Sequence, residues 1–146
     1  MAAPDDWLSM VLDHHREIEQ AFAAVASAKG RAQPKAMKQL ARILMGHSIA
    51  EEAVLYPALA GIGQKSRSTL AYGEQALVKT EMAQLEKLDP AGDAFADKLE
   101  TIRLAVVHHM HEEESTWFPL LRKQLPDDDQ ARLTTRFAEE FERYAG

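Results

Sequence analysis

The sequence predicts an all-α protein, an up-down-up-down four-helix bundle with a short additional C-terminal helix. Three observations predict it. Apolar residues recur at spacings of three and four through four long segments. β-branched runs are absent, and most of the 7 glycines and 6 prolines sit at breaks between segments. The breaks are short, which makes consecutive helices antiparallel neighbours.

The first segment spans about residues 4–28. Leu8, Val11, Leu12, His15, Ile18, Phe22 and Val25 form its stripe. Gly30 follows it and suits the left-handed position past a helix end. The second segment spans about 34–59, with Met37, Leu40, Leu44, His47, Glu51 and Leu55 on or near one face. Gly61 and Gly63 break the chain. The third spans about 66–88, with Tyr72, Gln75, Val78, Met82 and Leu85 inward. Asp89-Pro90-Ala91-Gly92 is a turn. The fourth spans about 93–125, with Leu99, Ile102, Val106, His109 and Glu113 inward. Pro57 and Pro119 are expected to kink or end their helices locally. A fifth helix, about 127–144, follows Pro126, and Asp127, Asp128 and Asp129 complement its dipole. One domain is expected over 1–146, with the bundle at about 4–125.

Composition narrows the function. The chain has 146 residues and a formal charge of −6, and its Lys and Arg residues are scattered. No basic stripe suits phosphates, so no nucleic-acid partner is expected. Cysteine is absent, which excludes disulfides and thiolate metal sites. No apolar run reaches membrane-span length. The start of the chain has no basic n-region, and a cytoplasmic location is the default reading.

One motif occurs twice. His47 to Pro57 reads H-x-x-x-E-E-x-x-Leu-Tyr-Pro, and His109 to Pro119 reads H-x-x-x-E-E-x-x-Trp-Phe-Pro, 62 positions on. Residues four apart stack on one helix face, so each copy aims an imidazole and a carboxylate together. The repeat extends further. At an offset of 60, His15 aligns with Gln75, Ile18 with Val78, Phe22 with Met82 and Val25 with Leu85. The chain reads as two helical hairpins, each with one inward polar residue and one H-x-x-x-E pair.

His15, His47, Glu51, Gln75, His109 and Glu113 occupy positions where a bundle core expects aliphatic side chains. A lone buried histidine is commonly a satisfied core residue. Two axial carboxylates without Lys or Arg on their stripes are another matter, because their desolvation is costly. Metal ions remove that cost. Imidazole and carboxylate without thiolate fit iron, manganese or zinc, and facing carboxylates favour a metal pair. The ferritin-like E-x-x-H pattern is absent, as are H-E-x-x-H, phosphate-loop and EF-hand motifs.

The order His15, His47-x-x-x-Glu51, an inward third-helix position and His109-x-x-x-Glu113 resembles the hemerythrin-like HHE cation-binding domain family. The resemblance covers about 7–125. It includes Asp13-His14-His15-Arg16-Glu17-Ile18 and both Glu-Glu motifs. It implies a non-heme di-iron centre, oxo- or hydroxo-bridged. Glu51 and Glu113 would bridge the two irons, and His15, His47 and His109 would be terminal ligands. Gln75 stands where the family carries a further histidine. Three outcomes are open there: Gln75 ligating weakly or holding a water ligand, a Tyr72 phenolate as substitute, or an open or poorly occupied metal position.

The remaining candidates weigh differently. His14 reads as a helix-flank residue or an outer partner of a ligand, and His108 and His111 as mostly solvated. Glu52 and Glu114 either hydrogen-bond ligand histidines or form a charged face. Tyr56, Phe118, Leu55 and Trp117 read as core packing. The resemblance implies an iron protein reacting with oxygen, peroxide or nitric oxide. The alternatives are a catalase-like enzyme and an iron-binding or storage protein. Oligomeric state is not legible.

Overall fold

The computed structural model describes residues 6–146, so the expected helix start at position 4 lies outside the described residues. Helix α1 spans Trp7–Ser27. Asp6 caps it by accepting a hydrogen bond from the Ser9 N–H at 2.8 Å. Gly30, at φ +58°, turns the chain into α2, Ala32–Ala50. A π-helical turn, Glu51–Leu55, joins α2 to α3, Tyr56–Gly61. Gly63, at φ +88°, leads into α4, Lys65–Leu85. Helix α5 is Asp93–Glu112, followed by a second π turn, Glu113–Trp117, and α6, Phe118–Gln124. Helix α7 spans Asp127–Ala145. The expected all-α bundle with a further C-terminal helix is present.

The two prolines do not end their helices. A proline inside a helix lacks an N–H and presses on the carbonyl four residues back. The widened turns immediately precede Pro57 and Pro119 and absorb that misfit. The Tyr56 N–H donates to the Glu51 carbonyl, and the Phe118 N–H to the Glu113 carbonyl, each five residues back. The rods therefore run on from α2 to α3 and from α5 to α6, with a local change of phase.

Two apolar clusters flank the middle of the bundle. Phe22, Leu40, Ile43, Leu85, Leu99 and Ile102 belong to one. Trp7, Val54, Leu59, Trp117, Phe118 and Phe137 belong to the other. The polar residues of the repeat lie at the level between them.

Helix α7 is part of this packing. The Trp7 indole N–H donates to Gln130 Oε1 at 2.7 Å, and the Trp7 backbone N–H to Thr134 Oγ1 at 3.0 Å. Gln130 also donates to the carbonyls of Leu121, Arg122 and Leu125, which satisfies the end of α6. At Gly46 a Cβ would lie 3.0 Å from Ala145 Cβ and 3.3 Å from the rings of Phe141 and Tyr144. Glycine there lets α7 close on α2.

Candidate metal centre

The repeat brings its polar residues to one point. His15, His47, Glu51 and Glu113 each contribute a ligand-type atom, all within 4.8 Å of one another. Both glutamates are 0% exposed, and the three histidines are buried. Each carboxylate divides its oxygens between two sides. On one side, Glu113 Oε1 lies 3.1 Å from His15 Nε2, and Glu51 Oε2 lies 3.1 Å from His47 Nε2. On the other, Glu113 Oε2 lies 3.2 Å from His109 Nε2.

The donor set fits a cation. His47 Nε2 and Glu51 Oε2 are close, yet they are not aligned as a hydrogen bond, and neither has another partner. Buried polar atoms are rarely left so. Two lone pairs aimed at common space between two helices are what a metal ion requires.

Electrostatics agree. Burial raises the Glu51 pKa, and the charge of Glu113 adds to it. Burial also opposes the ionised Glu113, but His109 and His15 outweigh it and hold this carboxyl well below its usual range. Burial acts to lower the His109 pKa, yet Glu113 and Glu51 push it up to about 10. His15 is raised in the same way. The pair of carboxylates demands positive charge. Protons on His15 and His109 meet that demand in part, and a divalent cation would meet it fully.

Outer partners fix the imidazoles. His15 Nδ1 lies 2.6 Å from Glu114 Oε2, and His109 Nδ1 lies 2.7 Å from Glu74 Oε1. His47 Nδ1 lies 3.0 Å from His14 Nδ1. An Nδ1–H given to a carboxylate leaves Nε2 as a lone pair facing the centre. His14 is held by α7, stacking on Phe141 at 4.1 Å between ring centroids. Burial and its two histidine neighbours push its pKa down to about 3, so it is a neutral partner. Of the two glutamates weighed for this role, Glu114 takes it. Glu52 instead pairs with Lys79 at 2.7 Å.

Tyr72 and Gln75 take different places. Tyr72 does not face the cluster. It is 37% exposed, and its hydroxyl donates to the Glu52 carbonyl at 2.8 Å. The inward stripe of α4 runs through Ser68, Ala71, Gln75, Met82 and Leu85, which leaves Tyr72 on the flank. Gln75 does reach the cluster, but through its amide nitrogen. That group donates to Glu51 Oε1 at 2.6 Å and to Tyr56 Oη at 2.6 Å. With a carboxylate oxygen as neighbour, the amide turns its N–H side to Glu51 and Tyr56, and its Oε1 is left buried without a hydrogen-bond partner.

Two residues join that the sequence reading did not place there. Tyr56 is fully buried, and its hydroxyl lies 3.0 Å from Glu51 Oε1, 2.7 Å from Glu113 Oε2 and 2.8 Å from His109 Nε2. In sequence it reads as packing, and an unbroken α-helix would carry position 56 away from position 51. The π turn stacks them instead. Pro57, just after it, was the available signal. Glu74 is the other. The repeat contained its signal, since Glu74 aligns with His14 at the offset of 60. In each hairpin the residue before the inward polar position holds the Nδ1 of the next helix's histidine.

Residues 8–121 match the family model described as Hemerythrin HHE cation binding domain. The chain belongs to this family. Helix α7 lies beyond the matched residues. A curated relative, named "DNA nickase", from Nostoc sp. (strain PCC 7120 / SAG 25.82 / UTEX 2576), is 29% identical over 99 residues. That alignment takes in 68% of this chain and 28% of the relative, so the chain spans less than a third of that protein's length. Within the HHE domain, the family name and the buried His/Glu group agree on cation binding. Among the described residues, no helix is long and apolar enough to cross a membrane.

Proposed function

We propose that this HHE domain is a dinuclear non-heme iron protein that takes a small ligand at the bundle core. One observation carries the reading: among the described residues, two fully buried carboxylates without Lys or Arg beside them stand among three buried imidazoles, Glu113 with one oxygen by His15 and the other by His109, and Glu51 with one oxygen by His47 and the other by Gln75 and Tyr56. His15, His47, Glu51 and Glu113 would hold one iron. His109 with the second oxygens of Glu51 and Glu113 would hold the other. Bound iron would supply redox chemistry and an exchangeable coordination position.

The protein's own part is to exclude water and limit size. A cavity of about 20 Å³ borders His47, Glu51, Gln75 and His109, with walls from Ile18, Leu44, Val78, Val106 and Met110. That is room for about one water-sized molecule. It favours oxygen, nitric oxide or peroxide over any larger substrate. The nickase activity named for the Nostoc relative is not carried over, given the partial alignment and the charge of −6.

Metal content and the ultraviolet–visible spectrum of protein from iron-replete cells test the proposal. Two irons per chain are expected. Exposure to oxygen, nitric oxide and peroxide then separates a binder from a peroxide-consuming enzyme. A reversible spectral change marks the first, and sustained gas evolution from peroxide marks the second. A chain that purifies without metal and takes up none would refute the proposal.

A further inference from the structure

We propose that Tyr56 is a metal ligand of this protein, its phenolate oxygen completing the half of the centre that contains His109. The inference rests on the dinuclear reading above and goes beyond it.

The internal repeat shows the need. The half built from His15 and His47 has two imidazoles. The other half has His109 alone, because Gln75 replaces the aligned histidine and presents N–H groups. The Tyr56 oxygen lies in the resulting space. Its neighbours are the second oxygens of both carboxylates and His109 Nε2, at 2.7–3.0 Å. A phenol has one proton, so it can donate to only one of the two carboxylate oxygens beside it. Two carboxylate oxygens converging on one phenol oxygen are poorly served by a single proton and well served by a cation. The residue aligned with Tyr56 is Phe118, which carries no hydroxyl and packs edge-on against Trp7 at 5.5 Å between ring centroids. The hydroxyl is thus confined to the half that lacks an imidazole. The π turn delivers it, and Gln75 orients it by donating to both Tyr56 Oη and Glu51 Oε1.

On binding, the cation takes the place of the phenol proton, which leaves to solvent. The phenolate oxygen keeps its electron pair and shares it with the metal. Three anionic side chains, Glu51, Glu113 and Tyr56, would then face the second ion. Such a set favours iron(III) over iron(II).

The test loads wild type, Tyr56→Phe and Tyr72→Phe with iron(III). It counts metal per chain and records visible absorption and resonance Raman spectra. Wild type and Tyr72→Phe should show a phenolate-to-iron(III) band with tyrosinate ring modes. Tyr56→Phe should lose both and bind its weaker metal at least about tenfold less tightly, the lower bound for losing even an outer partner. Phe118 shows that phenylalanine fits this turn. If Tyr56→Phe nonetheless fails to fold, Tyr72→Phe/Tyr144→Phe leaves Tyr56 as the only one of the 3 tyrosines. The band must persist in that variant. Two metals without the band, or a band that survives Tyr56→Phe, overturns the ligand and leaves the dinuclear reading standing. One metal with a band lost in Tyr56→Phe supports the ligand and sinks the dinuclear reading. No metal overturns both.

Discussion

His14 should make the metal-free protein labile to acid. The imidazole lies between Phe141 and the His47 ring, and its pKa falls from 6.5 to about 3, first through burial and then through His47 and His15. A depressed histidine contributes stability that is complete above the unfolded value. As the pH falls, the unfolded chain takes up a proton near 6.5, while the folded chain resists until about 3. Stability is lost across that window. At pH 5 the unfolded His14 is almost fully protonated and the folded one neutral. The difference is about 2 kcal/mol, at about 1.4 kcal/mol per pH step. With a urea slope of about 1–3 kcal/mol/M, the midpoint should fall by about 1 M between pH 7.5 and 5 from this group alone. The raised His109 acts oppositely, its stability present below 6.5 and lost toward about 10. It is common to wild type and variant and cancels in the difference. The assay is urea denaturation of chelator-treated wild type and His14→Gln at both pH values. His14→Gln should lose about 2 kcal/mol less on acidification. Equal losses in the two proteins would refute the reasoning.

Three further outcomes are expected. Glu51→Ala and Glu113→Ala should each drop metal content below one per chain, because each carboxylate serves both halves; full occupancy in either variant would contradict the shared arrangement. Glu74→Gln and Glu114→Gln should weaken metal binding by roughly 10–100-fold through loosened imidazoles. Glu52→Gln, which loses only its Lys79 partner, should change it little, and metal titration measures all three. Gly46→Val should cost about 1–3 kcal/mol by forcing α7 away from α2, seen as a lower Tm; an unchanged Tm would mean that the contact yields freely.

The sequence by itself determined the helices and the five core His/Glu positions. Helical periodicity is a local property, and a four-residue spacing fixes two side chains on one face whatever surrounds them. Two buried carboxylates without basic partners then demand a cation on energetic grounds alone. That reasoning reached His15, His47, Glu51, His109 and Glu113 without coordinates. It failed at Tyr56 because it assumed an unbroken α-helical phase, and at Tyr72 because the buried stripe of the regular helix α4 runs through Ala71 and Gln75 instead. A π turn adds one residue to a turn, and its formation beside Pro57 depends on packing and on which hydrogen bonds survive. It moved the phenol of Tyr56 into the cluster, while the α4 stripe left Tyr72 at the surface. The roles of Glu74, Glu114 and His14 were likewise decided by tertiary structure. Each holds an imidazole from another helix, and only the packed bundle sets such distances. The same holds for α7. Its periodicity announced a helix, but its place against His14, Gly46 and Trp7 follows from the shape of the surface it covers.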